Sequence, residues 1–188
     1  MNAVVVYESY WGNTAQIAQA VARGLGEGAT ALTTTAATPE ALRDVDLVVI
    51  GAPLLGFALP TEQMRSSLAG NPSTPPSDTS NPTVRTWLEN LDVAPRAFAT
   101  FETRIWWSPG SAASTVAKML AKRGWQQVGK PERFMVTGRF GPLKPGESQR
   151  AEVWGGALAM IATAGGAARM DDPIAASADT TSGEGLAE

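Results

Sequence analysis

The chain opens on an unbroken apolar run, Ala3-Val4-Val5-Val6-Tyr7, dominated by β-branched residues and lacking any polar alternation. That is the pattern of a central parallel strand covered on both faces. A polar turn containing a glycine follows at once. From Thr14 the apolar positions Ile17, Ala18, Val21, Ala22 and Leu25 recur at helical spacing, with Gly24 and Gly26 as the stop. A Thr-rich strand over residues 29–33 comes next, then a short helix opened by Thr38-Pro39-Glu40, then a second strong strand over residues 46–51. Residues 71–82 are too rich in Pro, Ser and Asn for regular structure and read as an exposed loop. Beyond them the spacing predicts a helix over residues 84–91, a strand over 97–101 and a helix over 111–123 that Gly124 ends. A fifth strand in two pieces, residues 125–128 and 134–136, precedes a last helix over residues 147–164.

Five strands alternating with helices specify an α/β fold: a doubly wound, five-stranded parallel sheet with helices on both faces and ligands at the carboxyl ends of the strands. With 44% apolar residues in 188 positions, the chain can bury one sizeable core and is too short for two ordinary domains. We place that domain at residues 1–168. Residues 169–188, rich in Ala, Ser, Thr and Gly, are expected to be a disordered tail.

Composition then narrows the chemistry. The sequence has no cysteine and no histidine, so disulfides, thiolate nucleophiles, imidazole bases and the usual zinc ligands are excluded. Asp44, Asp46, Glu40 and Glu62 lack oxygen-ligand spacing and read as solvated charges, so no metal site is expected. What remains favours a borrowed organic cofactor over a catalytic side chain. A formal net charge of −3 supplies no basic face for nucleic acid. Apolar runs are strand-sized and the first residues carry no basic leader, so no membrane partner and a cytoplasmic location are expected.

The candidate chemistry sits in the first turn, Ser9-Tyr10-Trp11-Gly12-Asn13-Thr14. Placed before a helix N-terminus, its free amides and hydroxyls can hold a phosphate dianion, while Gly12 lets the backbone approach closely. No Lys or Arg lies in the turn. The spacing is neither that of a P-loop, which ends in GK[ST], nor that of GxGxxG. The plain alternative is an ordinary N-cap at Asn13 or Thr14.

The S-x-x-G-N-T pattern after a buried first strand resembles the FMN phosphate loop of the flavodoxin family. Further segments, including Trp87-Leu88, Phe101-Glu102-Thr103-Arg104, Gly110-Ser111-Ala112-Ala113, Arg123-Gly124-Trp125 and Gly141-Pro142-Leu143, resemble small bacterial flavodoxin-domain proteins over residues 1–157. The resemblance implies a flavodoxin-like sheet in the order 2-1-3-4-5 with FMN at the switch point between the first and third strands. Flavodoxin is the worked example of that arrangement, and the geometry is carried over from it.

If FMN is held this way, its ring lies against two loops, Pro53-Leu54-Leu55-Gly56-Phe57 and the stretch from Thr103 and Arg104 through Trp106 and Trp107 to Gly110. Phe57, Trp106, Trp107 and Trp11 are candidates for stacking, against the alternative that each fills core. Many flavodoxins carry a stacking tryptophan where this chain has Leu54 and Leu55. Arg104 is a candidate tuning charge beside the ring, against an ordinary salt bridge with Glu102. The expected function is electron transfer, either as a shuttle or as an NAD(P)H-linked reductase. Its partner would be a redox protein or a small acceptor such as a quinone, and the chain would be a monomer or small homo-oligomer. The competing reading is a non-catalytic binding module that has lost flavin.

Overall fold

The computed structural model describes residues 1–69, 71–94 and 96–170, with side chains followed to residue 164. The elements run β1 (Ala3–Tyr7), α1 (Asn13–Leu25), β2 (Thr30–Thr33), β3 (Leu47–Pro53), α2 (Glu62–Leu68), α3 (Val84–Asn90), β4 (Ala97–Arg104), α4 (Ala112–Ala121), β5 (Gln126–Gln127), β6 (Glu132–Met135) and α5 (Glu147–Met170). All strand pairings are parallel, in the order β2-β1-β3-β4-β5, with β6 also pairing to β4. Ala97 and Phe98 at the start of β4 pair with β5, whereas Phe101 to Arg104 at its end pair with β6. The two short strands thus share one sheet position, as the two-piece reading of the sequence expects.

The unbroken apolar strands fill two cores, one on each face. In β1, Val4 and Val6 face Val48, Ile50 and Phe98, together with Val84, Trp87 and Leu88 of α3 and Val116 and Leu120 of α4. Ala3 and Val5 face Leu47, Val49, Phe101 and Phe134, with Ile17 and Val21 of α1 and Ala151 and Leu158 of α5. Burial on both faces is why these strands carry no polar alternation.

Two local expectations change. No helix forms at Thr38: Leu42 closes one helical turn onto the Thr38 carbonyl (3.2 Å), but the next bonds tighten to Arg43 on Glu40 and Val45 on Leu42. Leu42 is the one buried side chain in the stretch 38–46, too little apolar surface to hold a longer helix. Conversely, α2 forms where the pattern predicts nothing, capped by Thr61, whose side chain accepts from the Met64 amide at 3.2 Å. The last helix continues past the expected residue 164 to Met170, and the expected tail lies, from residue 171, outside the described residues.

α1 and α5 pack backbone to backbone. A methyl group on Gly24 would collide with the Glu152 carbonyl, and one on Gly155 with the Val21 carbonyl. Gly51 serves a different need, since a side chain there would occupy the position of the Phe101 ring. Among the described residues no helix is long and apolar enough to cross a membrane.

Candidate functional site

The carboxyl ends of β1, β3, β4 and β6 converge on one cleft. Its wall is formed by Ser9, Tyr10, Trp11, Asn13 and Thr14 after β1, Pro53 at the end of β3 with Leu54 and Leu55 after it, Thr103 and Arg104 at the end of β4 with Ile105 and Ser108 after it, and Val136 and Arg139 after β6. This is the crevice where the order of a doubly wound sheet reverses.

Its floor is the N-terminus of α1. Gly12, the residue before the helix, has a left-handed φ of 83° and offers no side-chain cap, so the first amides of α1 find no partner within the helix. Ser9 adds to this. Its Oγ is buried and makes no hydrogen bond. A buried hydroxyl without a partner costs about 1–3 kcal/mol, so it marks a place where a partner belongs. Thr14 Oγ1 and Thr103 Oγ1 lie 2.8 Å apart, one donating to the other. The accepting hydroxyl keeps its own proton for a third group. The Asn13 amide is turned away from this role, donating to the Phe140 carbonyl at 3.2 Å.

The floor is tied down from behind by Glu8. Its carboxyl, almost fully buried, accepts from the Tyr10 hydroxyl and from the Val84 amide at the start of α3 (2.8 Å). Burial pushes its pKa up to about 7 despite both hydrogen bonds. Burial, with Glu8 beside it, likewise raises the Tyr10 phenol above its usual range. The polar loop of residues 71–82 is irregular, as expected, yet it braces the same turn. The Asp78 amide donates to the Tyr10 carbonyl at 2.9 Å, and Trp11 Nε1 reaches the Pro75 carbonyl at 3.4 Å.

Arg104 lines the cleft as an ion-paired residue and not as a free cation. Its Nη1 meets Glu102 Oε1 at 2.8 Å and the Gly110 carbonyl at 2.9 Å. The other Glu102 oxygen accepts from Ser111 Oγ (2.8 Å) and the Ala113 amide (3.0 Å) at the start of α4. This buried pair therefore fixes the loop between β4 and α4, and the positive charge expected to tune a flavin is balanced within the fold.

Six expected residues stand outside the wall. Gly12 precedes the helix at its floor, and Gly56, Phe57, Trp106, Trp107 and Gly110 belong to the loops after β3 and β4 whose other residues line it. Gly56 and Phe57 make a two-residue turn with positive φ at both (54° and 67°), closed by reciprocal 3.0 Å bonds between Leu55 and Ala58. The turn tip touches the opposite loop, because a methyl on Gly110 would strike the Phe57 carbonyl. Phe57, Trp106 and Trp107 are 53%, 69% and 58% exposed, so they cover no core. The cleft itself measures about 80 Å³. At roughly 10–15 Å³ per water by this measure, that suits a phosphate and the first atoms of its ester but not a tricyclic ring.

Ile105 and Ser108 fall within the expected stretch 103–110, whereas sequence reading missed Val136 and Arg139. The signal was available for Arg139: Gly138-Arg139-Phe140-Gly141 lies in the loop after the last strand, and in a parallel sheet every such loop gathers at the same edge. Among the described residues no group of acidic or other metal-ligating side chains could hold a metal ion.

No protein-family model matches the chain, and no curated protein does. Solved structures do. An archaeal flavodoxin superposes with a TM-score of 0.62 at 16% identity, covering 87% of this chain and 99% of that one. The fold is that of the flavodoxins. Flavodoxin 2 from Bacillus cereus aligns with a TM-score of 0.60 at 18% identity, over 85% of this chain and 99% of its own. The flavodiiron core from Synechocystis gives 0.60 at 22% identity over 88% of this chain, which spans only 36% of that longer protein. The flavodoxin-like topology therefore covers nearly all of the described chain, at identities that speak for the fold alone.

Proposed function

We propose that this chain is an FMN-binding electron-transfer protein. The observation that carries the reading is the unpartnered Ser9 hydroxyl beside the uncapped N-terminus of α1, a cradle of donors with no acceptor of their own. The FMN phosphate would take that place. Ser9, the first amides of α1 and the Thr14–Thr103 hydroxyl pair would hold it. Bound there, the flavin supplies the redox chemistry, so no side chain need act as acid or base.

The residues of this chain bind, orient and shield. Leu54, Leu55 and Ile105 exclude water from the inner cleft, while the Glu102–Arg104 pair holds the β4–α4 loop in place. Phe57, Trp106 and Trp107 offer aromatic faces at the rim, open to solvent, where a redox protein or a small acceptor such as a quinone can reach a flavin edge. The test is titration of FMN with purified apoprotein. Quenching of flavin fluorescence at micromolar protein, with weaker binding of riboflavin, is expected. Absence of quenching would replace this reading with that of a binding module that has lost flavin. NAD(P)H oxidation by holoprotein then separates a reductase from a shuttle.

A further inference from the structure

The phosphate site read from the first turn contains no cation, but the fold brings one to it from far along the chain. Arg139 lines the same cleft as Ser9, Asn13 and Thr14. Its loop is fastened to the turn by three separate contacts. Asn13 Nδ2 donates to the Phe140 carbonyl at 3.2 Å. The Phe140 ring meets Trp11 edge to face at 4.9 Å. Gly141 approaches so closely that a side chain there would collide with the Asn13 amide. Arg139 in turn stacks over Phe140, with its guanidinium carbon 5.5 Å from the ring centroid. A stacked guanidinium keeps its in-plane donors free for an anion.

Its charge is also uncompensated. Of the two arginines lining the cleft, Arg104 pairs with Glu102, whereas Arg139, like Arg43, Arg85, Arg96 and Arg123 elsewhere, makes no ion pair among the described residues. An unpaired cation lining the same cleft as an orphan hydroxyl and free helix amides is an arrangement for a doubly charged ester.

We infer that Arg139 is the electrostatic clamp of the phosphate site, closing over the anion from the β6–α5 loop while the α1 turn holds it from below. This deepens the FMN reading and rests on it for the identity of the ester. Because Arg139 is exposed and stacked, it contributes charge in a way that ionic strength can screen.

The experiment compares wild type with Arg139→Gln and Arg139→Lys, using FMN, riboflavin and inorganic phosphate as probes at low and moderate salt. The expected result is a roughly tenfold or greater loss of FMN affinity in Arg139→Gln, consistent with loss of one charge-assisted contact. Riboflavin binding should be unchanged, the salt dependence should flatten, and Arg139→Lys should keep the salt dependence. If Arg139→Gln binds FMN as wild type does, the clamp is overturned and the FMN reading stands. Equal weakening of FMN and riboflavin also overturns it, because the residue would then act on the ring or the loop and not on the phosphate. If wild type ignores FMN but inorganic phosphate raises its melting temperature in an Arg139-dependent way, the clamp stands and the FMN reading falls. No response of wild type to either probe overturns both.

Discussion

The Ser9 hydroxyl is buried without a partner, so the free protein bears a cost there that a bound anion would remove. Ser9→Ala is expected to leave the apoprotein as stable as wild type or to raise it by about 1 kcal/mol, while weakening FMN binding roughly tenfold. Chemical denaturation and flavin titration on the same preparation check both halves. A loss of stability with unchanged affinity would make Ser9 structural. Glu8 gives a pH signature. Its pKa lies at about 7 when folded against a usual 4.5, so between those values the native state holds a proton that the unfolded chain has released. Native protein then binds more protons, and stability falls as pH rises through this window, levelling above 7. The loss amounts to about 3 kcal/mol at 1.36 kcal/mol per unit. The groups facing it are the Tyr10 hydroxyl, the Val84 amide, Glu62 and Arg65. Glu8→Gln should abolish this part of the pH dependence. Parallel stability curves for the variant and wild type between pH 5 and 8 would refute the assignment.

Among the elements, the α1–α5 crossing depends on glycine. In an isolated helix Gly→Ala stabilises by up to about 1 kcal/mol, but at Gly155 the added methyl meets the Val21 carbonyl. The steric cost of overpacking, typically 1–3 kcal/mol, is the larger effect. Gly155→Ala should therefore lower the melting temperature by roughly 2–10 °C, and a rise would show that the helices can separate cheaply. The hydrophobic pattern made most elements legible. Ala3–Tyr7 and Leu47–Pro53 are buried on both faces, and α1 and α4 show clear helical spacing. α2 escaped because seven residues bury only Leu68, leaving no periodic stripe to read. The predicted helix at Thr38 failed for the complementary reason, a good start with no apolar face behind it. Within the site, the first turn was legible because it is contiguous. Arg139 was not, since the bond that brings its loop to the turn, from Asn13 to the neighbouring Phe140, spans 127 residues. The pairing of Arg104 with Glu102 removed a charge that the sequence alone leaves available.

At the scale of the molecule, four loops must meet before the cleft exists, so ligand binding and folding are coupled. FMN at a hundredfold excess over its dissociation constant should stabilise the protein by about 2.7 kcal/mol. For a domain of this size that corresponds to a melting shift of roughly 5–10 °C. A thermal melt with and without FMN reads this directly, and coincident melts would argue against any specific site. The covering of Asn13 by Phe140 carries a consequence for biosynthesis. During synthesis the turn at residues 9–14 emerges well before the loop of residues 138–141 that roofs it. A nascent chain stopped before Phe140 would thus keep the turn without its roof, and on the FMN reading is expected to hold the vitamin-derived ester more weakly than the full chain.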